Sequence, residues 1–120
     1  MTVFPWRAPQ VPVLVLRGLI APRPYAINLR RYRDPIRRAI ALARSRKVLL
    51  LAIESPGGSP VESDLIATFI RTEAETHGVR VIAVIGDVGA SGGYWLACAG
   101  DEIVANRMSI VGSIGVIGGG

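Results

Sequence analysis

The chain has 120 residues and 12.8 kDa, is 50% hydrophobic and only 19% charged, a balance that suits one globular domain and excludes both a disordered chain and a two-domain one. No charge-free apolar run reaches the roughly 18–20 residues of a membrane span, and the Val11–Leu16 run, cut by Pro12 and closed by Arg17, does not read as a signal peptide. The net charge of +5 is uneven: residues 1–47 carry ten Arg and Lys47 against Asp34 alone, whereas residues 48–120 carry three Arg against eight acids, so only the first third could address nucleic acid, an anionic membrane surface or an acidic partner.

Residues 1–10, with Pro5 and Pro9, read as an irregular lead-in, and Val11–Leu16 as a first strand ending at Gly18. The stretch through Pro22 and Pro24 to Arg33 reads as a loop. A helix is expected from Asp34 as cap, with Pro35 at the first helical position and Ile36, Ala39, Ile40 and Ala43 on its apolar stripe. Val48–Ile53 is a continuous apolar run of strand length, the pattern of a strand covered on both faces. After Glu54-Ser-Pro-Gly-Gly58, the Ser59-Pro-Val-Glu62 capping box opens a second helix, with Val61, Leu65, Phe69 and Ile70 inward and Gly78 as its stop. Val79–Ile85 is a second buried strand. A glycine-rich turn, Gly86–Gly93, leads to a short helix over Tyr94–Ala99, a strand near 102–105, and a final Gly-rich segment. This alternation specifies an α/β fold, a mostly parallel β-sheet with flanking helices.

In such a sheet, ligands bind beyond the carboxyl ends of the strands. The Ser55–Ser59 and Asp87–Gly93 turns leave that edge after neighbouring strands, so they should lie side by side. Between them they offer backbone N–H donors and the Ser91 hydroxyl at a helix start, the equipment of acyl transfer. The amides of Gly58 and Gly92 are the expected oxyanion donors, each worth roughly 3–4 kcal/mol of barrier. Neither turn carries a phosphate-binding GxxxxGK[ST] motif or a GxGxxG. Gly89-Ala-Ser-Gly-Gly93 fits a G-x-S-x-G elbow, but the single histidine, His77, precedes the serine and sits at the far end of a strand, so a Ser-His-Asp triad cannot form. One Cys (Cys98) and one His exclude an internal disulfide and leave no set of zinc ligands; no metal or cofactor is expected.

The runs Glu54–Pro60, Asp87–Trp95, Ala97–Ala105 and Ile110–Val116, in order over residues 11–120, resemble the signal peptide peptidase family of serine peptidases, SohB-like branch. The resemblance implies a Clp protease/crotonase-type fold and cleavage of extended or hydrophobic peptides by a Ser–Lys dyad, with Ser91 as nucleophile and Gly58 and Gly92 in the oxyanion hole. It also implies a substrate groove along Val111, Gly112, Ser113 and Ile114, where a peptide can pair as an added strand, and a homo-oligomer that completes it.

The family's base is a lysine beyond the serine, and no lysine follows Lys47 here. Lys47 lies at the opposite strand edge, roughly 20 Å or more away at about 3.3 Å per residue, and Arg107 is always protonated. Residues 11–120 therefore read as the N-terminal part of a single peptidase domain, inert by itself because an unassisted hydroxyl is a weak nucleophile. A non-catalytic peptide- or acyl-binding or assembly module with the same fold is the alternative. Asp87 and Asp101 read as turn and cap residues, Ser55 and Ser59 as partners of turn amides, Ser113 as a secondary nucleophile candidate, and Tyr94 and Trp95 as core or subunit contacts. Base-stacking aromatics are sparse in the basic region (Tyr25, Tyr32), so nucleic acid is not expected; peripheral membrane contact through residues 17–47 is, in a protein that is cytoplasmic or membrane-associated.

Overall fold

The computed structural model describes residues 10–112. Strands β1 (Val13–Arg17), β2 (Val48–Ser55), β3 (Arg80–Ala90) and β4 (Glu102–Ala105) form a parallel sheet in that order, and β5 (Ile110–Gly112) pairs in parallel with the end of β3. Helices α1 (Leu29–Ala43), α2 (Pro60–His77) and α3 (Gly92–Ala97) connect successive strands. The fold is α/β, a parallel sheet with flanking helices.

The strands follow one another across the sheet without reversal. Right-handed crossovers then keep every helix on one face. Leu14, Leu16, Leu49, Leu51, Ile53, Val81, Ala83 and Ile85 point into that face and meet Ile36, Ile40, Ile66, Ile70 and Leu96 from the helices in one core. The other face is not covered by described residues: Val13, Val15 and Val104 are 53%, 52% and 51% exposed. The expectation that β2 is covered on both faces is therefore corrected. An apolar run specifies burial but not which side of the sheet its crossovers occupy.

The first helix also begins earlier than Asp34, and the expected loop to Arg33 is partly helical. Asn28 is the cap. Its Oδ1 accepts from the Arg31 N–H at 2.9 Å, while its Nδ2 donates to the carbonyls of Ala21, Arg23 and Ala26 at 3.0, 2.8 and 3.3 Å. The Leu29 N–H is held by Glu62 Oε2 at 2.9 Å. These tertiary bonds extend the helix past Pro35, which lies inside it, although an interior proline costs about 3 kcal/mol. The apolar stripe Ile36, Ala39, Ile40 and Ala43 is buried as expected.

In α2 the Ser59 cap accepts from the Glu62 N–H at 3.2 Å and Gly78 ends the helix with φ 65°. Its buried stripe, however, is Ser63, Ile66, Ala67, Ile70 and Ala74; Val61 and Leu65 face outward and Phe69 packs at the margin. Small residues on this stripe allow close approach to α3, and the Gly92 backbone lies so near Ser63 that a Cβ there would strike the Ser63 hydroxyl.

Candidate active site

The segment expected as a turn after Ile85 is mostly strand. β3 continues to Ala90, and α3 starts at Gly92 rather than Tyr94. Ile53 pairs with Ile85 and Ser55 with Gly89, so Glu54 alone faces Gly86, Asp87 and Val88 across a bulge. A bulge leaves N–H groups without ladder partners and bends the strand. Here the Glu54 carboxylate accepts both, from Val88 at 2.8 Å and Asp87 at 3.0 Å, while the Ser109 hydroxyl donates to the Gly86 carbonyl at 2.7 Å. A Cβ at Gly86 would land on the Glu54 carboxylate, so a side chain there would displace this clamp. Beyond the bulge β3 pairs with β5: Val88 with Ile110, Gly89 with Val111, Ala90 with Gly112.

Ser91 occupies the single residue between β3 and α3. Its backbone is at φ 53°, ψ −123°, a conformation costly for a residue with a Cβ and one that clusters at functional turns. The turn presents the side chain at the carboxyl edge of the sheet. Its hydroxyl makes no capping bond to α3. The Ser91 N–H is engaged by the Gly112 carbonyl at 2.6 Å, so oxyanion donors must come from elsewhere. The Gly92 N–H, first in α3, has no intrahelical acceptor.

The turn after β2 lies directly against this serine. Gly57, at φ 105°, is so close that a Cβ would meet Ser91 Cβ and Gly92 N at 2.8 Å each. It is anchored by Ser55, whose buried hydroxyl accepts from the Gly57 N–H at 3.1 Å. On its other side this turn pairs with the segment after β1. The Ile20 N–H donates to the Gly57 carbonyl at 2.9 Å, and the Ile20 carbonyl accepts from the Ser59 N–H at 2.7 Å. The intervening Gly58 N–H takes no part in these bonds to Ile20. Gly58, at φ 144°, tolerates no side chain: a Cβ would coincide with the Ile20 carbonyl oxygen.

Ser91, Gly58 and Gly92 are thus brought together at one rim, with Val111 and Gly112 beside them on β5. Ser113 and Ile114 lie outside the described residues. The sequence reading passed over Gly57 and Glu54. The paired glycines signalled the first, whereas nothing local marked the carboxylate as a clamp on a strand 33 residues away.

Other ionisable groups stand apart. His77 is at the end of α2, 3.5 Å from Glu73, with the length of β3 between it and Ser91. The Lys47 carbonyl accepts from the Arg80 N–H at 2.8 Å, which puts Lys47 beside the starts of β2 and β3, roughly 25 Å from the Ser91 rim by strand length. Arg107 is exposed. Asp101 caps the start of β3 from the opposite rim: its Oδ2 accepts from the Val81 N–H at 2.7 Å and lies 3.4 Å from Arg71. That backbone bond, helped by Arg71, holds its carboxyl below the usual aspartate value. Tyr94 packs on the core, and Trp95 donates to Asp64 at 3.2 Å. Among the described residues no group of His, Cys, Asp or Glu could hold a metal ion, and no helix is long and apolar enough to cross a membrane.

The model of "Peptidase family S49" matches residues 73–120. A serine protease SPPA, chloroplastic, of Arabidopsis thaliana is 42% identical over 80 residues, 67% of this chain and 12% of that protein. A probable protease SohB of Haemophilus influenzae is 34% identical over 85 residues, 71% of this chain and 24% of that protein. A Na(+)/H(+) antiporter NhaA of Brucella melitensis is 55% identical over 67 residues, 56% of this chain but only 9% of that protein. The chain spans between 9% and 31% of the length of such curated relatives. The parallel sheet is consistent with the Clp protease/crotonase-type fold, and the family match over residues 73–120 together with these relatives supports a peptidase family S49 sequence, similar to the SohB-type proteases.

Proposed function

We propose that this chain is the nucleophile-bearing part of a serine endopeptidase that cleaves extended or hydrophobic peptides. The observation that supports this reading is the strained Ser91 turn pressed against Gly57, which brings the serine and Gly92 beside the Gly57-Gly58 turn. In this reading the Ser91 Oγ attacks the peptide carbonyl and its proton passes to a base. The oxyanion that forms accepts from the Gly58 and Gly92 N–H groups, whose directions are set before substrate arrives. The C–N bond then breaks as the base returns the proton to the leaving amine, and water releases the acyl group from Ser91 by the same steps in reverse roles. Val111 and Gly112 lie alongside the serine, and the edge of β5 that the described residues leave unpaired suits an extended substrate pairing as a further strand.

The resemblance to the signal peptide peptidases implies a lysine as this base, and the one lysine of the chain, Lys47, belongs to the opposite rim while the arginines remain protonated. The chain by itself is accordingly expected to be inert, and that separation of Lys47 from Ser91 also favours the second reading, a module that holds peptide or acyl groups without cleaving them. In the full-length protein, Ser91→Ala should abolish peptide cleavage while leaving the circular dichroism spectrum and melting temperature near wild type. Retained turnover would remove Ser91 as nucleophile. Absence of cleavage in the wild-type full-length protein, with peptide still bound, would favour the module.

A further inference from the structure

We propose that the outer face of α1 docks on the surface of an anionic phospholipid bilayer. The helix and the turn after it expose Arg30, Arg31, Arg33, Arg37, Arg38, Arg44, Arg46 and Lys47, with Asp34 as the one carboxylate on the segment. At 1.5 Å per residue the helical part of this row, Arg30 to Ala43, is about 20 Å long. Among the described residues, only Arg37 of these cations makes an ion pair, with Glu73 at 3.3 Å. On the adjoining α2, Glu73 pairs with Arg37 and Glu75 with Arg71, while Glu62 and Asp64 accept from neutral donors, the Leu29 N–H and the Trp95 indole, and keep their charge; the cations of the row still outnumber these acids and Asp34. The buried stripe Ile36, Ala39, Ile40 and Ala43 holds α1 on the core, so the row faces outward from a rigid support.

Charge alone would suit any polyanion, and the apolar residues within the row choose among them. Leu42, 70% exposed, projects one turn beyond Arg38. At the other end Tyr25, 93% exposed, stands beside Arg31, whose Nη1 donates to the Tyr25 carbonyl at 2.8 Å. An aliphatic side chain among arginines has no partner on a phosphate backbone, but it can enter the headgroup region of a bilayer, where tyrosine also settles. α1 runs from the rim that carries Ser91 to the rim of Lys47, so docking would lay this side of the sheet along the membrane surface.

The test is flotation of the full chain with vesicles of phosphatidylcholine alone or with about a quarter phosphatidylserine, at low and high salt. Binding is read without peptide cleavage, so the result is independent of the peptidase reading. The expected result is flotation only with the anionic vesicles, loss near 1 M salt where screening acts within ~3 Å, and a roughly five-fold drop in partitioning for each of Arg38→Gln and Arg46→Gln. Leu42→Ser should weaken binding a few-fold without changing its salt dependence. The substituted positions are exposed, and a circular dichroism spectrum for each variant separates lost binding from lost fold. Equal binding to neutral vesicles, no binding to anionic ones at low salt, or tighter binding to duplex DNA that Leu42→Ser leaves unchanged would each overturn the proposal.

Discussion

Replacing Glu54 by alanine should loosen the strand that carries Ser91 while sparing the rest of the sheet. The carboxylate accepts two backbone N–H groups, at 2.8 and 3.0 Å. Bonds to a charged acceptor contribute roughly 1.5–3 kcal/mol each. Glu54 is half-buried and the Asp87 amide reaches solvent, so water recovers part of the loss, and about 2 kcal/mol in total, below the roughly 3 kcal/mol that two such bonds give at the lower end, is the appropriate figure. Because the bulge offers no ladder partner on β2, that loss falls on residues 86–90 and on their pairing with β5, whereas Ile82–Ile85 keep both neighbouring strands. Amide hydrogen exchange should therefore quicken roughly 30-fold at Val88 and Ala90, the rate equivalent of 2 kcal/mol, and stay near wild type at Val81 and Ala83. Glu54→Gln, which retains one acceptor oxygen, should fall between. In the full-length protein kcat should drop with the looser turn. Unchanged exchange at Val88 in Glu54→Ala, or equal acceleration along all of β3, would refute the idea that this carboxylate clamps the bulge.

Ser91→Gly should raise stability by about 1 kcal/mol in denaturant unfolding, since glycine adopts φ 53° without the strain that serine bears; no gain would mean the turn is not strained. Gly58→Ala should cost about 3 kcal/mol or more, because φ 144° disfavours a side chain and the new methyl group would occupy the place of the Ile20 carbonyl oxygen; a melting temperature within a degree or two of wild type would count against the pairing of Ile20 with this turn. Asp101 has its carboxyl held below the ordinary value of 3.8, chiefly by the Val81 N–H against the opposing effect of partial burial. Its stabilisation is thus present at neutral pH and lost as pH falls below that value. Asp101→Asn should lower stability at pH 7 and flatten the acid limb of the stability profile, and an unaltered limb would contradict this role.

Much of the local structure was legible because its causes are local. The Ser59 cap, Pro60 behind it and Gly78 at the end of α2 satisfy backbone groups within a few residues of themselves, as do the apolar periodicity of α1 and the uninterrupted run of β2. Strand–helix alternation then placed two turns on one rim, and the same reading singled out Ser91 and the glycines around it. Asn28 displaced Asp34 as the helix cap because it bonds to three carbonyls of a folded loop and is joined by Glu62 from another helix. The extension of β3 required an acceptor on β2, and the bare sheet face reflects the direction in which strands were added. Val61 and Leu65 turned outward because α3 and the sheet met the small-residue side of α2. Spacing along the chain determined which residues can share a face or cap an end; the partner each face finds depends on contacts between segments tens of residues apart, and those free energies are absent from any local pattern.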